Sequence, residues 1–226
     1  MAKRSREKIA QDIRSPRAAA AAGLIFGFLS ILQMALGSTI GADTPEIIQR
    51  ELIEAWSQIA SIVLGIMPFA GISFIWFTAV IRDWLGDRED RFFSTVFFGS
   101  GIIYVAMMFV YAAVLGAILG TLALAEVYAL DNGIFVFGYV LINEVLENYA
   151  LRMAGVYMLS IGTLLSKTGH APRWLVALTF IVAVGFILFA GMTRVALYIF
   201  PSWVIVLSIY ILIVNYLRDD ESLEQT

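Results

Sequence analysis

Apolar residues in this chain come in long runs broken by short polar interruptions, with none of the alternation expected of half-buried strands. A helix crossing a hydrocarbon core ~30 Å thick needs about 20 mostly apolar residues. Residues 18–40, 57–81, 92–114, 174–193 and 203–216 meet or approach that requirement, and the third run stays apolar to Leu124. A further stretch, 133–167, is largely apolar but is interrupted by Asn143, Glu144, Glu147, Asn148 and Arg152. The pattern predicts an all-α fold, a polytopic transmembrane helical bundle of about six spans. The bundle occupies residues 18–217, between a basic tail at 1–17 and an acidic tail at 218–226.

Local signals refine the elements. Pro201, just before the last run, reads as a first-turn residue, while Pro68 and Gly71 predict a kink in the second run. Small residues recur at helix-packing spacing in three rows: Gly23 and Gly27; Ser57, Ser61 and Gly65; Ala112, Gly116 and Gly120. Such rows let backbones approach closely where water exclusion does not drive association. The basic amino terminus precedes an apolar run about twice the length of a signal-peptide core, which predicts a retained anchor rather than a cleaved leader.

Charge placement predicts the threading. With the amino terminus in the cytoplasm, six crossings leave 1–17, 82–91, 167–173 and 218–226 inside. These segments carry twelve of the fifteen Lys and Arg residues. Only Arg50, Arg152 and Arg194 fall outside, where the loops at 41–55 and 125–132 are acidic. The positive-inside bias therefore predicts both termini inside. Trp56 and Trp203 are expected near the outer interface, Trp84 and Trp174 near the inner one.

Composition narrows the chemistry. Of 226 residues, 60% are hydrophobic and only 15% charged, too little polar surface for a soluble domain of this size. The net charge of −3 gives no field for nucleic acid. No cysteine is present, which excludes disulfides, thiolate catalysis and Cys-ligated metals. The one histidine, His170, lies in a short loop without a nucleophile beside it, and no phosphate-binding or metalloprotease motif occurs. No enzyme activity and no cofactor are expected.

The polar cluster in the fourth run is the main candidate site. If residues 168–173 form the turn between the fourth and fifth helices, positions pair across the hairpin as i + j ≈ 341, which sets Arg194 level with Glu147. Both then lie about 20 residues, or ~30 Å, from that turn. Glu144, Glu147 and Asn148 share one face at α-helical spacing, Asn143 adjoins them, and Arg152 lies one turn deeper. A lone charge at mid-membrane costs about 2.5–3.5 kcal/mol on insertion scales, so mutual pairing is favoured. The cluster reads either as a structural ion-pair network or as an outward-facing polar pocket. Alternatively, 133–148 projects beyond the lipid with the overlong third helix, forming an apolar hairpin that calls for a partner.

The stretches 150–160 (ALRMAGVYMLS), 172–175 (PRWL) and 200–204 (FPSWV), with 69–77 (FAGISFIWF) through Arg91-Phe92-Phe93, resemble an uncharacterised group of bacterial multi-pass inner-membrane proteins. The likeness covers about two-thirds of the chain. It implies a bacterial cytoplasmic-membrane address and brings no activity. The expected function is that of a non-catalytic accessory or structural membrane component. A small-solute or ion transporter built on the polar cluster is the alternative. The expected partners are the lipid bilayer and a membrane-protein partner or second copy, and no nucleic acid.

Overall fold

The structure, a computed structural model, describes residues 15–39, 50–85, 91–124, 133–169 and 171–224. Expectations for the tail before Ser15, the loops at 40–49, 86–90 and 125–132, His170 and the side chain of Trp84 lie outside the described residues.

The described chain is helical, with no strand among the described residues. The elements are α1 (Pro16–Gly37), α2 (Arg50–Leu85), α3 (Arg91–Leu124), α4 (Ile134–Asn143), a π-helical segment (Glu144–Ala150), α5 (Leu151–Thr168), α6 (Arg173–Phe189) and α7 (Ala196–Glu224). Because α4, the π segment and α5 follow without a break, the described residues form six rods. Four of them contain stretches long and apolar enough to cross a membrane: Pro16–Gly37, Ala55–Arg82, Phe92–Thr121 and Ala196–Tyr216. At 17 residues α6 is shorter, and the fourth rod carries the polar interruption.

The helix ends follow local chemistry. Ser15 caps α1, its Oγ accepting from Ala18 N–H at 3.2 Å, and Pro16 takes the first helical position where no donor is lost. The last rod departs from expectation. It starts at Ala196 rather than Trp203, because Ala196, Leu197 and Tyr198 donate to the carbonyls of Thr193, Arg194 and Val195 and nucleate the helix earlier. Pro201 consequently sits inside α7, early enough that few helical bonds precede it. The second rod is assigned as continuous helix through Pro68.

Helix α1 packs between α2 and α7, α5 lies between α3 and α6, and α2 packs on α3. The close approach of α1 to α7 rests on Gly23 and Gly27. A methyl group on Gly23 would run into Ser208 Oγ and the Phe77 ring, and one on Gly27 into Ile205 and the Pro201 carbonyl. The second small-residue row behaves differently. Ser57, Ser61 and Gly65 face outward, with nothing within 4 Å of a Cβ built on Gly65.

The middle of the bundle is filled by aromatic rings from five rods. Phe26 lies 4.6 Å from Phe74, Phe74 lies 5.1 Å from Tyr157, and Tyr104 lies 4.7 Å from Phe200 between ring centroids. Each is at most 2% exposed. Two buried polar handles are paired here: Tyr157 OH shares a hydrogen bond with Thr78 Oγ1 at 3.2 Å, and Trp203 Nε1 donates to Thr179 Oγ1 at 2.9 Å. Trp203 and Trp56 are buried in the bundle, whereas Trp174 is exposed. Large apolar side chains such as Phe28, Phe69, Phe92, Ile181 and Leu188 cover the outside.

Candidate functional site

Six residues of the fourth rod and its neighbour were expected to share one polar cluster. The fold separates them into two groups, and the π segment is the reason. A π turn closes its hydrogen bonds at i→i+5 and holds more residues per turn than an α-helix, so positions three apart no longer share a face. Glu144 and Asn148 stay together, with Asn148 Nδ2 donating to Glu144 Oε2 at 2.8 Å. Arg152 extends this ladder, its Nη1 donating to Asn148 Oδ1 at 3.1 Å and to the Asn148 carbonyl at 3.2 Å.

Glu147 pairs with the α6–α7 connection instead of with this ladder. Its Oε1 lies 3.2 Å from Arg194 Nε, and Arg194 Nη2 donates to Tyr139 OH at 2.7 Å. The connection reaches this place because Gly191, at φ +83°, turns the chain in the left-handed region. It is also seated on Asn148, whose amide would collide with any Cβ at Gly191. The Tyr139 hydroxyl, with Glu147 adding to it, holds the Arg194 guanidinium above its ordinary pKa despite partial desolvation. The Arg194 side chain is 52% exposed and that of Glu147 only 16%. A half-exposed pair of this kind contributes at most about 1 kcal/mol where it is screened by water.

Beside the ion pair lies a partly open cavity of about 80 Å³, room for roughly half a dozen waters. The end of α1, the start of α2, the distal half of α3, the fourth rod and the start of α7 enclose it. Met34, Leu115, Ile118, Ile142 and Leu146 form its apolar wall, and Trp56, Tyr111, Tyr139 and Tyr198 bring aromatic rings. Of the expected cluster, Asn143, Glu147 and Arg194 line it, whereas Glu144, Asn148 and Arg152 do not. Asn143 donates one Nδ2 hydrogen to the Tyr139 carbonyl at 2.9 Å, which leaves a second N–H donor as well as its Oδ1 acceptor.

Gln33 completes the polar wall, and sequence reasoning passed over it. It is 1% exposed, and its Oε1 has no hydrogen-bond partner. Burying such an oxygen unpaired costs about 1–3 kcal/mol. The signal was available: Gln33 is an uncharged polar residue flanked by Leu32 and Met34 deep in an apolar run. Tyr139 and Trp56 carried no comparable signal, since an aromatic residue in an apolar helix reads first as core or interface. Seven residues below Gln33, about 10 Å at the helical rise, Phe26 enters the aromatic cluster.

The search for relatives adds no assignment: no protein-family profile, curated protein or solved structure matches the chain. Among the described residues, no group of three or more His, Asp or Glu is placed to hold a metal ion. What the site offers chemically is recognition. It combines a partly open cavity with the Asn143 amide, the Glu147 carboxylate and the Arg194 guanidinium in its wall.

Proposed function

We propose that the chain is a non-catalytic, multi-pass membrane protein of six spans with both termini in the cytoplasm, acting as an accessory component of the membrane. The observation that carries this reading is the aromatic plug. Phe26, Phe74, Tyr104, Tyr157 and Phe200 occupy the centre at 0–2% exposure, and none of them lines the cavity. A bundle filled in this way, with an apolar exterior, suits a component that sits in lipid and presents surfaces to others. Four long apolar helices support membrane insertion. The remaining two crossings are assigned to α6 and to the fourth rod, whose polar residues gather at one end. The bacterial inner-membrane address rests on the sequence resemblance.

Helix α3 and the paired α4 extend the argument. The apolar stretch Phe92–Thr121 has 30 residues, about 45 Å at the helical rise against a core of ~30 Å. Val136, Phe137 and Val140 of α4 are exposed there. This end would project from the lipid as an apolar hairpin available to a membrane-protein partner or a second copy. Purification of the full chain in mild detergent, read by native mass spectrometry, tests the role. A stoichiometric partner or a defined homo-oligomer is expected, and a monomer catalysing solute flux in proteoliposomes contradicts it. The cavity itself favours a second reading, a small-solute transporter, for which Glu147→Gln would abolish flux in a normally folded protein.

A further inference from the structure

The Glu147–Arg194 pair lines the cavity and is only partly used by the fold. Arg194 sets Nε against Glu147 Oε1 and gives one Nη2 hydrogen to Tyr139 OH. Among the described residues nothing meets Nη1. With the second hydrogen of Nη2 it forms the parallel donor pair that grips a carboxylate bidentately. Glu147 uses Oε1 alone, and its Oε2 has no partner among the described residues. Neither group is sealed off, since the two side chains are 52% and 16% exposed and both stand in the cavity wall. Tyr139 and Glu147 also hold the guanidinium in place, so a ligand need not order it.

The rest of the wall is mostly apolar. Met34, Leu115, Ile118 and Leu146 contribute aliphatic surface, and Trp56 and Tyr198 contribute rings. About 80 Å³ holds roughly six waters, or an apolar arm of about that many non-hydrogen atoms. Waters against such a wall are poorly bound, and an apolar group that displaces them gains affinity.

Charge selects the head that goes with this arm. The pair is electroneutral, so a bare anion on Arg194 would face the Glu147 carboxylate and a bare cation on Glu147 would face the guanidinium. A molecule with both charges adds no net charge and satisfies both free edges. Glu147 and Arg194 are in direct contact at 3.2 Å, which calls for two charges equally close together in the ligand. An α-amino acid carries them on one carbon, with the side chain as the third arm.

We propose that the cavity binds a free α-amino acid with a large apolar side chain. Its carboxylate lies on the Nη1–Nη2 edge of Arg194, its ammonium on Glu147 Oε2, and its side chain against the apolar wall. This inference goes beyond the accessory role proposed above and needs neither the six spans nor a partner.

Full-length protein in mild detergent is titrated by calorimetry with L-phenylalanine, phenethylamine, phenylpropanoate and L-serine. The first has both charges and the ring, and each of the others lacks one of these. L-Phenylalanine is expected to bind about tenfold more tightly than any of them, in line with loss of a charge-assisted hydrogen bond or of the buried ring. Arg194→Gln should cut the preference over phenethylamine below about twofold while keeping that over phenylpropanoate. Glu147→Gln should do the reverse. A merely structural pair would shift both preferences together or neither, and either result overturns the assignment. Equal binding of L-phenylalanine and any comparator, or no binding at all, overturns it as well. Should the variants not fold, the ranking of the ligands on the parent protein decides alone. Partner capture and solute flux bear on the role proposed above, and these titrations bear on the site.

Discussion

Single side chains in this bundle differ in what their removal leaves behind. Tyr157 and Trp203 are both buried aromatics with one hydrogen bond each, to Thr78 and Thr179. Thr179 Oγ1 also donates to the Leu175 carbonyl at 2.8 Å, so Trp203→Phe strands no polar atom on that side. Thr78 is 2% exposed and has Tyr157 as its side-chain partner. Tyr157→Phe is therefore expected to cost about 1 kcal/mol, and Tyr157→Ala about 3–5 kcal/mol through the cavity it opens. Thermal melting in detergent ranks the three variants. Arg194→Ala should stay within about 1 kcal/mol of the parent, as befits a half-exposed pair. The pH behaviour of that arginine follows from its raised pKa. A raised cation contributes fully below its unfolded pKa and loses its contribution only as pH climbs through the folded value. Its own share of stability is therefore flat between about pH 6 and pH 9.

At the scale of elements, spacing in the sequence says that a small-residue row exists but not which neighbour it meets. Gly23–Gly27 and Ser57–Ser61–Gly65 read alike as sequence, yet only the first lies under another helix. Gly27→Ala presses a methyl to 2.9 Å from the Pro201 carbonyl, backbone that cannot rotate away, and should destabilise by about 1–3 kcal/mol. Gly65→Ala meets nothing within 4 Å and should be neutral or gain up to about 1 kcal/mol of helix propensity. If the two variants melt alike, the α1–α7 packing is wrong. The same limit explains the candidate site. The common level of Glu147 and Arg194 was legible, because a tight turn at 168–173 and a fixed helical rise set it. The split between Glu147 and the Glu144–Asn148–Arg152 ladder was not, because a π segment changes angular spacing without a sequence signature. Nor was the early start of α7, which places Trp203 about two turns inside the helix, where it is buried. Gln33 was legible but outweighed by the nearby charges.

Across the whole molecule, the charge bias in the sequence meets the geometry at one end of the bundle. Arg82 lies over the Phe98 ring at 5.7 Å and Lys167 over Phe93 at 4.7 Å. These contacts bring the end of α2, the start of α3 and the end of α5 to one level, the end from which α1 also departs. Gly37, Ser38, the cavity and Arg194 lie at the other. On the six-span proposal, the positive-inside bias would put the cation-rich end in the cytoplasm and the cavity on the opposite side. The chain contains no cysteine, so one introduced thiol reports one position. Ser38 and Ser166 are both exposed, at opposite ends of the bundle. A membrane-impermeant maleimide applied to intact cells should label Ser38→Cys and reach Ser166→Cys only after permeabilisation. The reverse pattern would invert the threading and turn the cavity toward the cytoplasm. Equal labelling in intact cells would mean that no bilayer separates the two ends, and the six-span proposal would fall with it. The expected pattern instead makes the cavity beside Arg194 accessible from outside the cell.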